Sequence, residues 1–180
     1  MKRTAVAVMA TLFTTVGIAA ATLPAQANPD TAARACSTNW GTAPRHAGAM
    51  VQTRVRGVRA GEHACFDRLV VDLGPGRAPG YRVGYVRAFF AQGSGQRVPT
   101  KGRAKLLVTV LAPAAASFNA SRRHLVGVAG FAEFRQVAGL GSFEGVTSIG
   151  LGLRVKAAFR VFEVKTAGHR SKLVIDVARH

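Results

Sequence analysis

An all-β fold is what this chain predicts, and three observations predict it. Short runs rich in Val, Leu, Ile, Phe and Tyr recur from residue 51 onward, clusters of Gly and Pro separate them, and no long stretch carries helical periodicity. The runs fall at residues 51–58, 65–73, 81–90, 104–111, 125–137, 147–155, 159–165 and 172–178. Between them lie Gly74-Pro75-Gly76 with Pro79-Gly80, Gly93-Ser94-Gly95, Pro113 with its alanines, the glycine-rich run 139–145, and Thr166-Ala167-Gly168. Each break supplies either the free φ of Gly or the fixed φ of Pro. Residues 112–120 have room for one or two helical turns, but Pro113 and Asn119 suit a loop equally well.

Ahead of the strands, residues 1–27 read as a cleavable export signal. Met1, Lys2 and Arg3 form a basic start, an apolar stretch follows, and Leu23-Pro24 precedes the small-x-small site Ala25-Gln26-Ala27. Thr11, Thr14, Thr15 and Thr22 dilute the apolar run and Pro24 closes it, which argues against the ~20-residue span of a membrane anchor. The expected product starts at Asn28, is secreted and associated with the cell wall, and keeps no transmembrane segment after cleavage. Residues 28–50 form an N-terminal extension and 51–180 one domain.

Cys36 and Cys65 are the only cysteines, an even count in an exported chain, and are expected to pair rather than remain free thiols. In the chain-entropy picture such a loop stabilises by roughly 3–4 kcal/mol, and it would tether the extension, which has few apolar residues of its own. The spacing is not Cys-x-x-Cys, so redox catalysis is disfavoured, and two cysteines make no zinc site. No metal and no cofactor is expected.

Charge narrows the partners. The chain holds 25 Lys and Arg against 8 Asp and Glu; only Lys2 and Arg3 leave with the signal, so the product carries 23 minus 8, or +15. The cations are spread along the sequence, which makes the folded surface electropositive and its partners anionic. Outside a cell that means anionic cell-wall polymer or peptidoglycan, or an acidic envelope protein; export removes nucleic acid from reach. A GC-rich coding bias accounts for Arg over Lys but not for only eight acids. Lys101, Arg103 and Lys105 alternate with Gly102 and Ala104, so an extended strand would aim all three from one face. Arg54 and Arg56 form a shorter version, and these five are the candidate polymer-binding residues, against the plainer reading of a solvated edge. Trp40, Tyr81 and Tyr85 can stack on sugar rings or fill the core. Phe143 and Phe159 are assigned to the core.

Catalytic groups are sparse. His63 near Cys65 and Asp67 is a lone histidine at a strand edge; Glu133 and Glu144 have the residue types of a glycosidase pair but no supporting context. Ser142 and Ser148 lack a nucleophile elbow, and the run from Gly139 to Gly145 lacks the Lys of a phosphate loop and reads as a long hairpin turn. No catalytic residue is assigned. The rival reading is a small secreted wall hydrolase using Asp67 or Glu144 with His63.

Two segments share one pattern: Arg68-Leu69-Val70-Val71-Asp72-Leu73 and Lys172-Leu173-Val174-Ile175-Asp176-Val177. Alternation puts Leu69, Val71 and Leu73 on one face, and Leu173, Ile175 and Val177 likewise. If the two strands are antiparallel neighbours, Arg68 faces Asp176 and Lys172 faces Asp72, each pair contributing ~0.2–1 kcal/mol.

Four ordered blocks carry a resemblance. These are His63 to Leu73, Gly80-Tyr81-Arg82-Val83-Gly84-Tyr85-Val86, Phe143 to Arg154, and Phe159-Arg160-Val161-Phe162 with Leu173-Val174-Ile175-Asp176-Val177; Cys36 to Gly41 adds an N-terminal Cys-x-x-x-Trp-Gly. Together they resemble the actinobacterial AMIN-like domain proteins across nearly the whole product. The resemblance implies a β-sandwich of two antiparallel sheets, distantly related to the AMIN domain that targets peptidoglycan amidases and secretin components to the wall. It implies a non-catalytic binding module and brings no ligand site that maps residue by residue.

Overall fold

The computed structural model describes residues 36 and 38–180; the expected signal, residues 1–27, lies outside them. Nine strands form two antiparallel sheets, and no helix occurs among the described residues. The strands are β1 Arg45–Ala47, β2 Val55–Glu62, β3 Phe66–Pro75, β4 Tyr81–Tyr85, β5 Ala104–Val110, β6 Phe134–Phe143, β7 Val146–Leu153, β8 Phe159–Thr166 and β9 Arg170–Ala178. One sheet has the order β1-β4-β5-β7-β6, the other β2-β3-β9-β8. This is the expected sandwich.

The core lies between the sheets and is built by simple alternation. Leu69, Val71 and Leu73 of β3 and Leu173, Ile175 and Val177 of β9 point inward from the four-stranded sheet. Leu106, Val108 and Val110 of β5 with Ile149, Leu151 and Leu153 of β7 meet them from the other. All are buried, and each large aliphatic so placed contributes about 1.5–3 kcal/mol relative to exposure. Phe159 joins them.

The repeated pattern pairs as its sequence demands. β3 and β9 are antiparallel neighbours with Arg68 opposite Asp176 and Asp72 opposite Lys172. Arg68 binds Asp176 through two hydrogen bonds of 2.6 and 2.9 Å, and Arg160 of β8 adds a third at 2.8 Å. Asp72 turns the other way and takes both its oxygens to Arg59 of β2 at 2.7 and 2.8 Å. These hydrogen bonds hold the Arg59 and Arg68 guanidinium groups above their ordinary pKa.

Cys36 and Cys65 are bonded, which fastens the N-terminal segment to the β2–β3 hairpin. From there Trp40 lies 4.4 Å from the Arg160 guanidinium and edge-on to Phe66 at 5.8 Å. The Gly41 carbonyl accepts from Phe159 N–H at 2.9 Å, and the chain crosses to the other sheet as β1, a strand too short and polar to predict. Asp176 is thus sealed under a layer of arginines and rings with no exposure.

Three sequence readings need correction. The fifth run was expected at 125–137 with a break at 139–145, yet β6 runs through the glycines to Phe143. Its turn is only Glu144-Gly145, both at positive φ (48° and 79°), as a tight hairpin requires. Phe143 is therefore at a hairpin tip and 51% exposed instead of core. Third, the run at 81–90 ends as a strand at Tyr85, after which the chain leaves the sheet. The cause of the glycine-rich strands is non-local: long connections lie flat on the outer face of the five-stranded sheet. A methyl at Gly139 would sit inside the Ala120 carbonyl and one at Gly152 inside the Lys101 carbonyl, while at Gly150 it would lie 2.8 Å from the Phe89 ring.

Two outcomes follow from this packing. Gly152→Ala forces the 100–103 connection off the sheet and is expected to cost about 1–3 kcal/mol, the usual range for overpacking, in chemical denaturation. Asp176→Asn leaves two guanidinium groups without their shared carboxylate. A loss near 3 kcal/mol is expected, at the lower end for breaking a buried ion pair because both arginines keep some solvent contact.

Candidate anion-binding site

Few carboxylates remain to offset the surface cations. Of the described acids, Asp72, Asp176, Glu133, Glu62 and Asp67 are all engaged by arginines of the same chain. Asp67, Glu133 and Asp176 are fully buried. Asp67 accepts from the Glu133 and Phe134 backbone N–H groups at 2.6 and 2.9 Å, and Glu133 accepts from Arg154 at 2.7 Å. Acids used this way hold strands together, and Lys and Arg far outnumber the acids left on the exterior.

The cations converge at the end of the sandwich where β5 and β6 begin. A cleft of about 740 Å³ opens there, with Lys101, Arg122, His124 and Arg135 on its walls beside Phe131 and Leu125. A second depression of about 630 Å³ continues past Arg135 to Arg103 and Arg154. No carboxylate lines either one. The shape alone is ordinary; the one-sided charge is not.

Local backbone detail explains the convergence. Phe134 pairs with Leu153 and Gln136 with Gly152, so Arg135 is the extra residue of a β-bulge, a device that re-aims a side chain. Its guanidinium donates to the carbonyls of Phe131 at 2.7 Å, Phe134 at 3.1 Å and Ala132 at 3.1 Å. Carbonyl partners fix the group without cancelling its charge. Gln136, 6% exposed, joins two walls: its Oε1 accepts from Lys101 N–H at 2.9 Å and its Nε2 donates to the Arg123 carbonyl at 2.8 Å. Residues 120–126 are laced along β6, with Gly139 N–H donating to the Arg122 carbonyl and Leu125 N–H to that of Val137. Arg123 in turn donates to the Pro99 carbonyl at 3.3 Å.

The five residues singled out from sequence fall in two places. Lys101 and Arg103 are exposed on the connection before β5. Lys105 is on the strand, but Gly102 (φ 97°) turns the chain between them, so the three do not share one strand face. Lys105 Nζ folds back onto the Thr100 and Gly102 carbonyls at 3.4 and 3.2 Å and braces the connection. Arg54 and Arg56 lie at the start of β2, where Val55 pairs with Leu73 and bridges Ala114 beyond the end of β5. That is the opposite end of the sandwich. Arg56, between Val55 and Gly57, is also a bulge residue. Sequence reasoning missed Arg135 and Gln136, and only the Glu-Phe-Arg-Gln interruption of the apolar run hinted at them.

The remaining candidates have structural surroundings. His63 stacks on Phe66 at 4.5 Å. The Tyr85 hydroxyl donates to the Ala157 carbonyl at 2.7 Å and accepts from its N–H; burial pushes this phenol's pKa up. Glu133 and Glu144 flank β6, so its ten residues separate them by roughly 30 Å, well beyond the ~5–10 Å that a glycosidase pair needs. The described residues contain no cluster of His, Cys, Asp or Glu suited to a metal.

Chemically, the cleft gathers cationic side chains, with the Arg135 guanidinium held in place by backbone carbonyls, and guanidinium groups suit phosphate or carboxylate oxygens in pairs. The fold defines an all-β sandwich of two antiparallel sheets. More particularly, the chain belongs to the AMIN-like domain family, whose sequence model matches residues 53–179. That membership suggests a cell-wall-associated binding module. No curated protein and no solved structure matches the chain. No helix among the described residues is long and apolar enough to cross a membrane.

Gln136→Ala removes both cross-wall hydrogen bonds while leaving every cation in place. Affinity for a polyanion such as linear polyphosphate is expected to fall about threefold to tenfold, with a stability loss near 1–3 kcal/mol from the unpaired backbone groups. Unchanged affinity would show that the walls hold their positions without it.

Proposed function

We propose that the protein is exported, with residues 1–27 removed, and acts as a non-catalytic module of the cell envelope that binds anionic wall polymer or peptidoglycan. The observation that carries this reading is the carboxylate-free cleft around Lys101, Arg103, Arg122 and Arg135 on a chain that has few acids, three of them fully buried. Arg54 and Arg56 add a second group of cations, and Lys105 supports the first from behind. Membership of the AMIN-like family supports the envelope setting.

Binding through exposed cations is a Coulomb interaction screened over about 10 Å at 0.1 M salt, so it weakens steeply as salt rises. Pull-down of the purified protein on isolated wall material, at low and high salt, tests this. Strong retention at low salt and release at high salt is expected. The double variant Lys101→Glu with Arg103→Glu should bind at least roughly tenfold more weakly, since each cation near an anionic surface is worth about 1 kcal/mol. Salt-insensitive retention would point instead to a stacking or protein-docking mode, and absence of binding to wall material would reject the proposal.

A further inference from the structure

The opposite end of the sandwich carries a second cleft rich in cations. A cleft of about 920 Å³ opens beside the β8–β9 hairpin, with Arg77, Lys165, His169 and Arg170 on its walls and one acid, Glu163, among them. Ser171, also on the wall, is 4% exposed, and its hydroxyl has no hydrogen-bond partner among the described residues. A buried hydroxyl at the edge of a basic cleft is a donor ready for an anionic oxygen. The backbone there is firmly placed: Gly76 N–H donates to the His169 carbonyl at 3.0 Å, and Gly74 N–H to that of Arg54 at 2.8 Å. Arg54 therefore adjoins this end.

The two clefts are set apart by the length of the strands. β3 starts at Phe66, next to Asp67, which holds the Glu133-Phe134 backbone at the first cleft, and it ends at Pro75 opposite Arg170 at the second. Its ten residues span roughly 30 Å. On the outer face of the four-stranded sheet between the ends, the arginines are tied to Asp72 and Asp176. One short anionic segment cannot occupy both clefts at once.

We propose that this domain is a bivalent cross-linker: each end holds a separate phosphate- or carboxylate-bearing segment, so one protein bridges two polymer chains or two distant parts of one. The inference rests on the polyanion-binding reading above and adds to it the number and placement of sites. Bivalency raises retention on a dense polymer without any new contact, because the second engagement is intramolecular.

Tripolyphosphate, too short to span the strands, counts the sites, and long-chain polyphosphate reports bridging. Calorimetry of the full protein at low salt is expected to give about two tripolyphosphates per chain, and mixing with long polyphosphate should produce turbidity that salt reverses. The variants Arg77→Glu with Lys165→Glu at one end, and Lys101→Glu with Arg103→Glu at the other, alter exposed side chains only. Each should bind about one tripolyphosphate, bind wall material more weakly, and lose bridging at least tenfold. A stoichiometry of one in the unmodified protein, or bridging that survives in either variant, overturns the inference while leaving polyanion binding intact. No binding of either probe, or of wall material, removes both readings together.

Discussion

Asp176 is the point on which the four-stranded sheet turns. Its carboxylate is fully buried, yet it lies on the outer face, away from the apolar core, and is enclosed by Arg68 of its neighbour β3, Arg160 of β8, and the rings of Trp40, Phe66 and Phe162. A buried carboxylate needs a charge partner and hydrogen-bond donors to offset its desolvation, and at Asp176 both come from guanidinium groups on the two adjoining strands. The register of β3, β9 and β8 is thereby tied to one residue. The disulfide and Trp40 complete the enclosure, so the N-terminal segment covers an ion pair.

This economy shapes the exterior. When most of a small supply of acids is spent on cohesion, many of the remaining cations have no carboxylate partner among the described residues, and the outer potential is set by them. Surface ion pairs contribute little to stability, so leaving arginines unpaired sacrifices little in folding. It leaves guanidinium groups oriented by backbone carbonyls, as at Arg135, that keep their attraction for external anions.

Placement of those groups depends on how the connections pack. The five-stranded sheet carries long, irregular segments on its outer face, and they approach so closely that β6 and β7 must present glycine beneath them. The same close approach brings Lys101 against Gln136 and residues 122–125 against β6. The packing of the sheet and the shape of the cleft share one cause here, since the cleft walls are the loops that bury the sheet. A bulge at Arg135 then turns one more cation into the space between them.

Much of this was written in the local pattern of residues. Alternation in β3 and β9 named their inward faces and, through matched Arg68 and Asp176, their pairing; an even pair of cysteines behind a leader that reads as an export signal named the disulfide; the imbalance of charge named the sign of the surface. These features depend on neighbours one or two positions away, or on a simple count. The path of β6 through its glycines, the exposure of Phe143, the service of Gln136 and the separation of the basic residues into two ends were not legible there. Each depends on segments distant in sequence meeting in space: a glycine run looks like a turn until Ala120 and Lys101 are seen resting on it, and cations spread along a sequence reveal no grouping until two sheets fold them to opposite ends.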